Sequence, residues 1–206
     1  MTTMQGKDTI ARVTKLLIGN TIASLSIASI INAGLGCFPL TAANLALTNW
    51  TGLSLGTVGM LFESLLLLYA TYKGEGIGLT SIVNATYGSY AIDIFARLLP
   101  KSPIMLLGLL LAPIGWALMG EAGYGDTGSN IVMNALVKST KKSIGLIRGI
   151  QEVTFLIIGF LGARHQITWL TIALSLGLGY LLQIAYKLLK YDPTKIQHTF
   201  IIKGGR

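Results

Sequence analysis

Residues 51–70, TGLSLGTVGMLFESLLLLYA, decide how the chain is read. Thr51 and Gly52 make a turn, Ser54 is a natural helix N-cap, and an apolar run follows that is suited to lipid. Glu63 interrupts that run nine residues after Ser54, about 13–14 Å down the helix axis. A charged carboxylate near a bilayer centre costs on the order of 2.5–3.5 kcal/mol, so this one needs a partner, a proton or water. Residues 140–153, TKKSIGLIRGIQEV, pose the same problem again: Ser143, Gly145 and Glu152 repeat the spacing of Ser54, Gly56 and Glu63.

The coincidence extends well beyond these stretches. Shifted by 89 residues, Gly19, Ala23 and Ala28 fall on Gly108, Ala112 and Ala117, and NAGLG (32–36) falls on EAGYG (121–125). Ala46, Leu47 and Thr51 match Ala135, Leu136 and Thr140. About 14 identities fall in roughly 52 ungapped positions, several of them glycine or polar, which a shared greasy composition does not supply.

Of the 206 residues, 52% are hydrophobic and 12% charged, half the charge of a soluble domain. Six segments are apolar enough to span a bilayer: about 15–35, 55–73, 77–98, 103–120, 144–162 and 167–189. Residues 39–51 and 127–140 are too short to span and too apolar for ordinary loops, and read as re-entrant or interfacial half-helices. The expected architecture is an all-α membrane protein forming one membrane domain. It holds two three-helix repeats (about 15–99 and 103–189), each with a short half-helix, and a tail over 190–206. Three spans per repeat is an odd number, so the second copy enters the membrane from the opposite side, an inverted repeat. The polar start before the first apolar run carries no evident cleavage site, so that segment is expected to be a retained span.

Charge chooses the orientation. With the N-terminus inside, the inner face collects Lys7, Arg12, Lys15, Lys73, Lys138, Lys141, Lys142 and the basic tail; the outer face receives only Arg97, Lys101 and Arg164. Both termini are therefore expected in the cytoplasm of a bacterial inner-membrane protein. On this reading the net charge of +8 reflects basic loops, and no nucleic-acid partner is expected. Cys37 is the sole cysteine, and His165 and His198 lie in a loop and the tail, so neither a metal centre, a cofactor nor an enzymatic nucleophile is expected.

The remaining polar residues near the spans are the candidates for substrate or ion coupling: Glu63, Glu152, Arg148, Asp126, Asn32, Asn44, Asn84, Asp93 and Glu121. Arg148 precedes Glu152 by four residues, which puts both on one helix face; Glu63 has Gly59 at the equivalent place and no such partner. Asp93 has Arg97 four residues on and is read as an outer-end residue. Gly34, Gly36, Gly123 and Gly125, with Ser54 and Ser143, are the expected turn and helix-start positions, where backbone groups are free to meet an ion or a substrate.

AGLGCFPLTAANLALTNWTGLSLG and GDTGSNIVMNALVKSTKKSIGLIRGIQE resemble the two signature regions of the YczE/YyaS/YitT family of bacterial membrane proteins. The resemblance covers about residues 15–190 and rests on Gly34, Gly36, Ser54, Gly56, Asp126, Ser143, Gly145, Arg148 and Glu152. It departs at Cys37 and Phe38. It implies a polytopic inner-membrane protein and supplies no substrate. From the residues, the expectation is a small secondary transporter of a small molecule or ion, driven by alternating access, with proton exchange at an intramembrane acid. The alternatives are a regulatory or assembly membrane protein, or the substrate-capture subunit of an ATP-driven importer.

Overall fold

The computed structural model describes residues 2–189 and 199–202. Among the described residues the chain is all-α apart from one two-stranded ribbon. Helix α1 (Thr2–Ala33) is followed by a short α2 (Pro39–Thr51) and by α3 (Leu55–Tyr72). Strand β1 (Ile77–Gly78) leads into α4 (Leu79–Val83), a π turn (Asn84–Gly88) and α5 (Ser89–Leu98), which run end to end. A 3-10 segment (Pro103–Leu110) precedes α6 (Ala112–Glu121), then a second short helix, α7 (Gly128–Thr140), and α8 (Ile144–Gly162). After one 3-10 turn come α9 (Trp169–Leu188) and β2 (Phe200–Ile202), which pairs antiparallel with β1.

Four helical stretches are long and apolar enough to cross a membrane: Asp8–Ala33, Leu55–Tyr72, Pro103–Glu121 and Ile144–Gly162. Their outward faces carry large apolar side chains, among them Leu65, Leu68, Leu107 and Leu161, while serines and asparagines are buried. That inversion of the soluble pattern is what a lipid solvent selects. Contact between α1 and α6 depends on small residues, since a Cβ at Gly19 would stand 2.7 Å from Gly115 O.

Of the six expected spans, those over 77–98 and 167–189 are not among these four; three boundaries also differ from the sequence expectation. Helix α1 begins at Thr2, not near residue 15. The segment expected to start at 77 gives its first two residues to the ribbon. The segment expected over 103–120 starts as a 3-10 helix, because Pro113 has no N–H to continue an α-ladder back to Leu109. Of the expected tail, 190–198 and 203–206 lie outside the described residues.

The two short helices match in detail. Each has 13 residues, and both ends of α7 lie 89 residues after those of α2. The turns before them take positive φ at equivalent glycines: Gly34 (68°) and Gly36 (125°), Gly123 (72°) and Gly125 (87°). Each short helix then ends left-handed, at Gly52 (72°) and at Lys141 (57°). Ser54 and Ser143 cap α3 and α8 by accepting from the N–H of Thr57 and Leu146. Packing is crossed: α2 lies along α8, and α7 along α3.

Contacts divide the molecule into two ends. At one, Asn32 Nδ2 donates to Ala96 O and Leu99 O (both 2.9 Å), Asn49 Nδ2 to Gly162 O, and Thr168 Oγ1 to Leu35 O. At the other, Arg12 donates to Ala122 O and Gly123 O, Lys15 pairs with Glu121, and Lys138 pairs with Glu75. The ribbon lies at this second end, where Thr199 N donates to Gly123 O.

Candidate functional site: a polar cavity beside Glu63

Glu63 is 5% exposed, buried at the middle of α3. Its Oε2 accepts from the backbone N–H of Gly128 at 2.9 Å, the first residue of α7. The carboxyl group therefore closes the positive end of a short helix that begins deep in the molecule. Buried hydrogen bonds to a charged group are worth about 1.5–3 kcal/mol, and a helix N-terminus adds up to about 2. A Cβ at Gly128 would meet Glu63 Oε2 and displace the carboxyl group from this position. Thr127 supplies no side-chain cap of its own.

Beside Glu63 is a cavity of about 80 Å³. Its polar lining includes Ser24 of α1, Thr41 and Asn44 of α2, Asn84 of the π turn and Ser89 of α5, and Trp116 of α6 forms an apolar wall. Glu63 is the only charged side chain in that lining. The π turn sets one side: Ser89 N–H bonds back to Asn84 O, five residues earlier, and Ser24 Oγ donates to Gly88 O at 3.0 Å. Such turns re-aim side chains and recur at functional sites. Asn84 Oδ1 accepts a long bond from Asn20 Nδ2 at 3.4 Å, while the buried Asn44 Oδ1 has no partner among the described residues.

Glu152 does not line this cavity. Its Oε1 lies 2.7 Å from Arg148 Nη2, one helical turn away. Arg148 Nη1 donates to Asn130 Oδ1 at 2.9 Å, and Asn130 Nδ2 donates to Asp126 Oδ1 at 2.7 Å. Asp126 Oδ1 also accepts from the N–H of Thr127. Asp126, Arg148 and Glu152 are thus joined in one chain along the first turn of α7, on which Gln151 also donates to Ser129 O.

The other expected residues hold helix ends. Asp93 is drawn to α3 and not to Arg97: its Oδ1 accepts from Gly56 N–H at 2.8 Å. Asn32 satisfies the last carbonyls of α5, and Glu121 meets Lys15 at the end of α6. Of the nine candidates, Glu63, Asn44 and Asn84 share the cavity. Sequence reading missed Ser24, Thr41, Ser89 and Trp116, whose types are ordinary inside a helical bundle. It also missed the partner of Glu63, a backbone N–H that leaves no side-chain signal.

Among the described residues no group of three or more His, Cys, Asp or Glu is placed to hold a metal ion. Asn44 Oδ1, unpartnered among the described residues, and one carboxyl group line the same small cavity. Compared with known families, residues 10–104 match the model of a family of unknown function, DUF6198. No curated protein and no solved structure matches the chain.

Proposed function

We propose that the chain is a small secondary transporter, built as two inverted three-helix repeats that alternate access to the cavity beside Glu63. The observation that carries this reading is the cavity itself: a pocket of mixed lining walled by α1, α2, α3, the π turn, α5 and α6, with several polar side chains and a buried acid in it. The 89-residue recurrence of turns, caps and short helices supports the repeat, as does the crossed packing of α2 on α8 and α7 on α3. In this arrangement both short helices start near mid-depth and run outward to opposite faces, the geometry that many transporters place around a substrate. The end bearing Arg12, Lys15 and Lys138 is cytoplasmic by the positive-inside rule, in a bacterial inner membrane. The likeness to YczE/YyaS/YitT proteins fits this reading and names no substrate.

Glu63 exchanges a proton with the cavity, and Asn44 and Asn84 contact the solute. Asp126, Arg148 and Glu152 form a hydrogen-bonded chain that holds the start of α7, while Asn32, Asp93 and Glu121 fasten helix ends. The test is purified protein in proteoliposomes holding a pH-sensitive dye, challenged with panels of small solutes. Wild type is expected to acidify or alkalinise the lumen with at least one solute, and Glu63→Gln to abolish that proton signal. Equal proton-coupled uptake in Glu63→Gln would remove Glu63 from the mechanism. No solute-driven flux in wild type would favour the regulatory or assembly reading.

A further inference from the structure

We infer that the cavity binds a small zwitterion the size of glycine, with its ammonium group on Glu63 and Asn44 and its carboxylate on the first turn of α2. Binding stands on the cavity's geometry; movement across the membrane rests on the transporter reading above. Two sets of unmet groups line the pocket. One set is acceptors: Glu63 Oε1 receives no hydrogen bond among the described residues, and Asn44 Oδ1 is buried without a donor. The other set is donors. Leu40 and Thr41, in the first turn of the 13-residue α2, line the cavity, and Phe38 offers no side-chain cap. Among the described residues no acceptor meets the N–H of Leu40 or of Thr41, and the hydroxyl of Thr41, a residue 7% exposed, has no partner.

An ammonium group brings three donors and a carboxylate brings acceptors, so one zwitterion satisfies both sets. Charge agrees. Glu63 contributes one negative charge, and the starts of α7 and α2 contribute roughly half a positive charge each. The site is therefore near neutral and matches a solute without net charge. A bare anion would face Glu63, and a bare cation would leave the start of α2 unmet. Size points the same way: about 80 Å³ is room for two or three waters at roughly 30 Å³ each, a space nearer to glycine or β-alanine than to leucine.

The experiment is calorimetric titration of the full chain in lipid nanodiscs with glycine, β-alanine, leucine, methylammonium and acetate. Glycine or β-alanine is expected to bind at least tenfold more tightly than methylammonium or acetate, and leucine not at all. Thr41→Val, which keeps shape and removes one donor, is expected to weaken glycine binding about tenfold with the melting temperature of the empty protein unchanged. Glu63→Gln, which keeps an acceptor for Gly128, is expected to weaken it further. Methylammonium or acetate binding as tightly as glycine would overturn the inference, as would failure of both small zwitterions to bind. Glycine that binds but does not enter proteoliposomes would sink the transporter reading and leave the binding site standing.

Discussion

Glu63 and Glu152 occupy equivalent places in the two halves of the chain and do different work. Glu63 holds the start of α7 through Gly128 N–H, with Gly59 one turn before it leaving space that the cavity fills. Glu152 stands in the same relation to Pro39, at the start of α2, and to Arg148, where the first half has Gly59. Proline has no N–H to donate, so the bond that Glu63 makes is denied to Glu152 at that position. Arg148 takes its place and neutralises the acid along its own helix. Two substitutions between copies, Gly128 for Pro39 and Arg148 for Gly59, therefore convert one acid into a cavity residue and the other into half of an ion pair.

The sharpest way to break this comparison is to delete each acid. Glu63→Ala orphans the Gly128 N–H in a buried setting, removes the charge at the start of α7, and is expected to cost about 2–3 kcal/mol. Glu63→Gln retains an acceptor and should cost less than half of that. Reversible unfolding in detergent measures both. Equal losses for Ala and Gln would mean that the bond to Gly128 contributes little, and the contrast between the halves would fail.

Next in size is Arg148. Breaking a buried pair by removing one partner costs about 3–5 kcal/mol, but the Arg148 side chain is 35% exposed, so about 1–2 kcal/mol is the discounted expectation for Arg148→Ala. The double variant Arg148→Ala/Glu152→Ala should recover part of the loss, because it leaves no unpaired acid. The same cycle between Arg148 and Glu63 should show measurable coupling, since both hold the first turn of α7. Strict additivity there would show that the two acids act independently.

Much of this was legible in the sequence, and the reason is local. Paired glycines, a serine cap and a thirteen-residue apolar interval mark α2 and α7, because positive φ and capping are properties of a few consecutive residues. The Arg148–Glu152 spacing is likewise local. What the sequence hid is contact at a distance. The start of α1 reaches back to Thr2, with Arg12 anchored on the carbonyls of Ala122 and Gly123, about 110 residues away. Asp93 has a local partner available in Arg97, yet it bonds to Gly56, and β1 pairs with a tail strand that no periodicity announces. The cavity was hidden for the same reason, since its wall draws one or a few residues from each of several helices.

A third prediction concerns the starts of α3 and α8. A Cβ at Gly56 would meet Ser89 O at 2.6 Å and Asp93, whereas its equivalent, Gly145, has nothing within 4 Å among the described residues. Gly56→Ala should therefore cost about 1–2 kcal/mol through overpacking, and Gly145→Ala should be neutral or slightly stabilising. In the transporter reading, this marks one end as closed and the other as open. Trapping the opposite state should reverse the order of the two effects, and an unchanged order in every state would remove the alternation.

The smallest effect belongs to the two helix ends. Gly52 and Lys141 both close a short helix in the left-handed region, at 72° and 57°. Glycine adopts that conformation freely, whereas a residue with a Cβ pays about 1–2 kcal/mol, part of which the fold already absorbs at Lys141. Lys141→Gly should accordingly stabilise the protein by up to about 1 kcal/mol, and Gly52→Lys should destabilise it by a similar amount. The pair of substitutions exchanges the two caps and leaves composition intact, so its net effect on the melting temperature should be near zero. A loss from Lys141→Gly would show that the lysine side chain contributes more at that end than its backbone conformation costs. The two caps would then be equivalent in shape only.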